Sequence, residues 1–359
     1  MVNYSDGMNF APAIIEAPVV KPGEFNFAAM SLEHGHIYAM TNGLLGAGGI
    51  LRLVYDKDPE KVKKFVETYP QVKVASSAEE ILESDAIQMI AAADVPNLRG
   101  PLGIKVMQHG KNYFTDKTPF VSLEQISDAR KAVAETGKRF FVYYGERLSS
   151  ESGMYAGELI KQGAIGRVIQ VIGLGPHRLN ATARPDWFFK KELYGGIITD
   201  LACHQVEQFL YYTGNTDGTV TSAQIGNYNN PQFPELEDFG SCHIVGENGA
   251  TMFCRVDWLT PDGLRSWGDG RTFILGTEGY IEMRKYINVG VEGDFGDLVF
   301  LVDGKQERVF DCKGKIGFPF FGQMIDDCLY GTENAMTQAH IFKASELSIK
   351  AQNMAVIMT

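Results

Sequence analysis

Asp200 and His204 stand four residues apart, directly behind the stretch Gly195-Gly196-Ile197-Ile198-Thr199. A carboxylate and an imidazole at that spacing face the same way on a helix, because residues i and i+4 share one side. Leu201, Val206, Phe209 and Leu210 recur at helical spacing, so a helix is predicted to start near Thr199 or Asp200. The glycines leave room where another group approaches the backbone. A neutral imidazole, with an ordinary pKa of about 6.5, can take a proton at pH 7. The plainer reading of His204 is a packed histidine on an interface helix.

Three further places have residue types suited to chemistry, each just past an apolar run that reads as a strand. In Ser31-Leu32-Glu33-His34-Gly35-His36 a strand turns into a helix. Only Gly35 fits a GxGxxG dinucleotide fingerprint, yet the amides of a helix N-terminus can hold a phosphate. Asp56 lies about 20 residues on, where a carboxylate accepts the ribose hydroxyls and disfavours a 2′-phosphate, which selects NAD. A capping or solvated aspartate is the plainer alternative. Lys117, in Asp116-Lys117-Thr118-Pro119, could hold a substrate hydroxyl and stabilise an alkoxide, although a lone lysine is more simply a surface group.

The elements that would carry these residues alternate regularly. Strands are predicted over 25–30, 50–55, 86–92, 112–115 and 139–144, with a first helix over 35–45. Asp58-Pro59 supplies an N-cap and a first-turn proline, and Val62, Phe65, Val66 and Tyr69 form the stripe of the helix that follows. Ser77-Ala78-Glu79-Glu80 and Ser122-Leu123-Glu124-Gln125 have capping-box spacing, and glycines at 110 and 137 close two helices. This alternation specifies a Rossmann-like, doubly wound parallel sheet.

Beyond Gly145 the pattern changes. A helix over 154–162 and a strand over 167–174 precede several strands joined at Glu247-Asn248-Gly249, Gly276-Thr277-Glu278-Gly279 and Asp303-Gly304-Lys305. These predict an open, mainly antiparallel sheet covered by helices on one face, with final helices over 322–330 and 335–358. Three parts result: an N-terminal arm over 1–24, a dinucleotide-binding domain over 25–145, and a substrate and oligomerisation domain over 146–359.

The 359 residues carry a formal charge of −11 and no basic block, which argues against a nucleic-acid partner. No apolar run reaches the length of a membrane span, and the first 25 residues do not read as a signal peptide. Five scattered cysteines without a CxxC pair read as reduced thiols of a cytoplasmic protein.

Taken together, Asp116-Lys117-Thr118-Pro119, the glycine turn with Asp200 and His204, and Gly163-Ala164-Ile165-Gly166 before Arg167 and Val168 resemble motifs of the Gfo/Idh/MocA oxidoreductases. The first stands for that family's EKP with Thr inserted, the second for its GGG turn followed by DxxxH, the third for the turn opening its second domain. The resemblance runs from about Phe25 onward. It departs at the phosphate turn, at Asp94, and at Arg99 where many members have histidine.

The resemblance implies that His204 is the general base, that Asp200 binds or orients the substrate, and that Lys117 holds the reacting oxygen. NAD would lie along Ser31, Leu32, Glu33, His34, Gly35, Asp56, Ala92, Asp94, Lys117, Arg147 and Trp187. His177, Arg184 and Trp187 precede the glycine turn in a loop whose aromatic face and polar donors suit a sugar ring. Asn227, Asp238, Trp258, Pro261, Trp267 and Arg271 lie in the hairpin region, with Asp257-Trp258 most simply strand end and core.

The function expected is NAD-dependent oxidation of a secondary hydroxyl on a sugar, glycoside or cyclitol, by a homo-oligomer. Two rivals differ in class. A metal-dependent lyase or isomerase would use Asp200, His204 and His177 as ligands, and a non-catalytic dinucleotide-binding regulator would have no need of Lys117, Asp200 and His204 together.

Overall fold

Short apolar runs become buried strands, and capping residues fix where the helices between them begin. The computed structural model describes residues 17–293 and 296–358. In chain order the first elements are β1 (Asn26–Met30), α1 (His36–Gly46), β2 (Ile50–Tyr55), α2 (Pro59–Thr68), β3 (Lys73–Val74) and α3 (Ala78–Leu82). Then come β4 (Met89–Ala92), α4 (Pro96–Gln108), β5 (Asn112–Asp116), α5 (Leu123–Thr136) and β6 (Phe140–Tyr143). The caps act locally, as their residue types require. Asp58 accepts from the Glu60 amide at 2.9 Å, Ser77 from Glu80 at 3.2 Å, and Ser122 from Gln125 at 3.3 Å.

The strands form one parallel sheet in the order β3-β2-β1-β4-β5-β6. That order reverses between β1 and β4, and an open sheet of this kind binds ligands outside the carboxyl ends of its strands at such a switch point. The strand predicted over 86–92 is shorter, because Ile87 still donates to the Ser84 carbonyl in a turn. Of the N-terminal arm, residues 1–16 lie outside the described residues. Val19 donates to the Ala47 carbonyl at 3.0 Å and Val20 is buried, so the following segment is tied to the end of α1.

The second group of elements begins with α6 (Gly145–Leu148), α7 (Glu151–Lys161), β7 (Val168–Pro176), α8 (Lys191–Tyr194) and α9 (Cys203–Thr213). It continues through β8 (Gly218–Gly226), β9 (Phe239–Gly246), β10 (Thr251–Asp257), β11 (Arg271–Gly276), β12 (Gly279–Arg284), β13 (Leu298–Asp303) and β14 (Glu307–Asp311). The chain ends with α10 (Phe320–Tyr330), α11 (Gln338–Met354) and β15 (Val356–Met358).

Nine strands form a sheet in the order β14-β13-β12-β11-β7-β10-β9-β8-β15. It is mixed. β7 pairs in parallel with β10, and β15 in parallel with β8, while the other pairs are antiparallel. The last strand corrects the helix predicted through 358. Turns form at the predicted hairpin signals, as where Asp303 Oδ1 accepts from the Lys305 and Gln306 amides at 2.8 and 3.0 Å. α7 and α9 pack on one face.

The chain divides into two units. Among the described residues, one comprises 17–143 together with Phe318–Phe342, and the other Tyr144–Gly317 together with the segment from Lys343. So α10, expected beside the later strands, packs in the first unit. Gly43 of α1 has no Cβ, and the Phe321 ring fills that place. Phe320 and Phe321 lie 6.0 and 6.3 Å from the Phe114 ring.

Candidate active site

In the first unit the turn after β1 is built from Ser31 to Gly35. Ser31 takes a left-handed conformation, φ 52°, and its carbonyl accepts from Ala93 at 3.0 Å. His34 donates to the Ala93 carbonyl at 2.9 Å, which ties the turn across the switch point. Asp56 is buried at the end of β2. Its Oδ2 accepts from the Leu32 amide at 2.6 Å and its Oδ1 from Asp58 at 2.8 Å. Each oxygen keeps a second lone pair, so the carboxylate that braces the turn can still accept from a ligand hydroxyl. Gly35 caps α1 without a side-chain hydrogen bond of its own; the His36 amide bonds His34 Nδ1 at 3.2 Å, and the Ile37 and Tyr38 amides bond the His34 and Gly35 carbonyls. Glu33 is paired with Lys61 at 2.6 Å, and Asp94 bonds its own neighbour Val95 at 2.7 Å.

Below the turn lies a charge cluster that the sequence did not disclose. Asp116, wholly buried at the end of β5, meets His36 Nδ1 at 2.8 Å, His34 Nδ1 at 3.2 Å and the Arg99 guanidinium at 3.2 Å. Burial opposes its ionisation, but the charges of His36, Arg99 and His34 outweigh burial and hold it well below the usual carboxylate range. Burial and the neighbouring His36 press His34 well below an ordinary imidazole. Arg99 also donates to the carbonyls of Asp94 (2.7 Å), Lys117 and Thr118 (3.3 Å). The Lys117 amide donates to Asp116 Oδ1 at 2.8 Å. The residue noted as a departure from the family pattern is therefore the brace of the Lys117 loop.

His34, His36 and Asp116 are, among the described residues, the group whose ligand atoms all lie within 4.8 Å of one another. Arg99 already supplies the countercharge there, so the geometry is that of an ion-pair cluster. Asp200, His204 and His177 do not form such a group among the described residues.

In the second unit the glycine turn does not lead straight into an α-helix. Ile198–Ala202 is π-helical, and α9 follows from Cys203. The predicted helix start is corrected accordingly. A π-turn leaves residues four apart near one face, and such turns are frequent at functional sites. Gly195 and Gly196 have φ of 86° and 90°, values L side chains rarely adopt. A Cβ on Gly196 would fall on Gln352. The Gln352 side chain instead accepts from the Ile198 amide at 2.8 Å, while Glu237 Oε2 accepts from Ile197 at 2.8 Å. Asp200 and His204 are both buried, and the Tyr144 ring meets the His204 imidazole edge-on at 6.2 Å.

The other predicted residues separate by role. His177 is buried, bonds the Gly175 carbonyl through Nδ1 at 3.1 Å, and packs against Trp267 and Trp258 at 4.6 and 5.3 Å. The Trp187 indole N–H is buried without a hydrogen-bond partner among the described residues. Arg184 lies over Phe188 and Trp258 and donates to the carbonyls of Leu179 and Arg178, so it braces the loop. Arg147 forks onto Glu207 and lies 3.9 Å over Tyr211. That pairing engages the guanidinium expected to reach the cofactor. Asp238 holds the amides of Tyr228 and Asn229, and Asn227 and Arg271 serve their own loops.

A family profile described as "Oxidoreductase family, NAD-binding Rossmann fold" matches residues 29–144, and one described as "GFO/IDH/MocA C-terminal domain" matches 154–282. The chain belongs to the Gfo/Idh/MocA family. Its first unit is thus an NAD-binding Rossmann domain. A candidate oxidoreductase from Erwinia carotovora atroseptica SCRI1043, solved as a crystal structure, is 48% identical, with a TM-score of 0.91 over 94% of this chain and 100% of its own. An uncharacterised oxidoreductase of Streptococcus pneumoniae is 26% identical over 73% of this chain and 69% of its length. The scyllo-inositol 2-dehydrogenase (NAD(+)) of Bacillus subtilis is 28% identical over 56% of each. Alignment to that dehydrogenase spans little more than half its length.

Sequence reasoning missed the bracing roles of Arg99 and the pair Glu146–Lys285, which is buried close to α9. Neither charge sits in a motif, so only partners distant in sequence reveal them. No helix among the described residues is long and apolar enough to cross a membrane.

Proposed function

We propose that the protein is an NAD-dependent oxidoreductase moving hydride between a secondary hydroxyl of a sugar, glycoside or cyclitol and nicotinamide. The observation carrying this reading is the buried Asp200–His204 turn, clamped by Glu237 and Gln352 in a chain of this family. Bound NAD supplies the carbon that accepts hydride. His204 takes the hydroxyl proton as hydride leaves the same carbon, so a C–H and an O–H bond are exchanged for a carbonyl. Asp200 binds or orients the neighbouring hydroxyl, and Lys117 holds the reacting oxygen with its ammonium. Asp56, with the turn from Ser31 to Gly35, receives the adenosine ribose and pyrophosphate and favours NAD over NADP. His177 and Trp187 offer the sugar a polar edge and an aromatic face.

A homo-oligomer is supported by the uncovered face of the nine-stranded sheet, where Phe253, Ile172 and Phe273 lie side by side across β10, β7 and β11. The five cysteines stand as thiols, in keeping with a cytoplasmic enzyme. The test is to denature the purified protein, look for released nicotinamide, and titrate cofactor-free protein with NAD and NADP. A sugar and cyclitol panel follows, with His204→Ala as control, which should lose about 10²–10⁴ in kcat while still binding NAD. Failure to bind either dinucleotide would sink the reading.

A further inference from the structure

Glu146 and Lys285 form an ion pair whose side chains are 3% and 0% exposed. Taking two charges out of water is costly unless close geometry and further hydrogen bonds offset it. Here those bonds come from the helix that carries His204. Glu146 Oε2 accepts from Lys285 Nζ at 2.9 Å and from Gln205 Nε2 at 2.8 Å. Lys285 Nζ donates to Gln208 Oε1 at 3.0 Å, and Gln208 Nε2 donates to the His204 carbonyl at 3.1 Å.

Glycines in β7 make the space. A Cβ on Gly173 would lie 2.5 Å from Gln205 Cγ, and one on Gly175 would lie 3.2 Å from Glu146 Oε1. Glu146 Oε1 and Gln205 Oε1 have no hydrogen-bond partner among the described residues. That acceptor capacity is left unspent on a carboxylate bonded to the residue after His204, where it favours a positive charge.

We propose that Glu146 is a positioning residue for His204: its buried carboxylate, fixed by Lys285 and Gln205, stabilises the imidazolium formed when His204 takes a proton. The source of that proton rests on the dehydrogenase reading, whereas the link between Glu146 and the helix of His204 rests on the hydrogen bonds through Gln205 and Gln208. Burial opposes ionisation of Glu146, but Lys285, His204 and His177 outweigh it and bring the carboxyl down to about 2.

The elements packed against α9 bring Tyr144, Glu146 and Arg147 from α6 and its start, and Glu151 from α7. They also bring His177 and Asp257 at the ends of β7 and β10, and Lys285 past β12. α9 and the turn before it add Asp200, Cys203 and Glu207. Arg147 and Glu207 close on each other, and Glu151 is taken by the amides of Ile316 and Gly317 at 2.7 Å. Lys285 is therefore the charge opposing Glu146, and the two should move His204 in opposite directions.

The test is an NMR titration of ¹³C-histidine in cofactor-free protein, with the His204 signal assigned by its loss in His204→Gln. In Glu146→Gln the His204 pKa should fall by about one unit. Lys285→Met should raise it, and the double variant should return near the parent value. The acid limb of kcat/KM should move the same way. Should Glu146→Gln fail to fold, Lys285→Met and the double variant decide. An unmoved His204 titration in the folded variants overturns the coupling, even in an active enzyme. The expected shifts without any hydride transfer would uphold the coupling and retire the dehydrogenase reading alone.

Discussion

Arg99 shows how much one buried side chain can organise. Its guanidinium joins Asp94, Asp116, Lys117 and Thr118, so the loop bearing the proposed substrate lysine hangs from it. Arg99→Met should leave Asp116 as a buried charge short of its partner and cost about 3–5 kcal/mol, read from urea unfolding. Dinucleotide affinity should fall with it, because His34 and His36 share the same carboxylate. Asp200, His204 and Lys117 could be singled out as candidates in the sequence because each lies within a short window of diagnostic types. Arg99 looked only like a departure from a pattern. Glu146 and Lys285 are 139 positions apart and belong to no motif, so nothing local announces that they meet.

At the scale of elements, what could be read depended on whether the cause was local. Asp58, Ser77 and Ser122 cap helices with their own neighbours, and those starts were predicted correctly. The π-turn at Ile198–Ala202 was read as plain helix because the groups that hold its entry, Glu237 and Gln352, are 40 and 154 positions away. β15 was missed for the same reason, since a three-residue strand is defined by its pairing with β8. Gly196 offers a sharp check. Gly196→Ala must hold an alanine at φ of 90° and push Gln352 aside, so it should cost about 2 kcal/mol or more in chemical denaturation. Adding Gln352→Ala relieves the clash and leaves the backbone strain, so it should restore only part of the loss.

For the whole molecule, buried ionised groups set the response to acid. Glu146 titrates at about 2 instead of an ordinary 4.5, so it adds stability that is fully present above about pH 4.5 and is lost as pH falls toward 2. His34, held below 6.5, refuses a proton that the unfolded chain accepts, so a first loss should begin below about pH 6.5. Urea midpoints between pH 7 and 3 should therefore decline in two stages, and Glu146→Gln should flatten the lower one. The return of α10 to the first unit matters for synthesis as well. β1 through β6 leave the ribosome before Phe320 and Phe321, the rings that pack with α1 and β5. The intervening Tyr144–Gly317 takes roughly 10 to 35 s to translate at usual elongation rates. For that interval the nascent Rossmann unit lacks the two rings that cover this flank of α1 and β5.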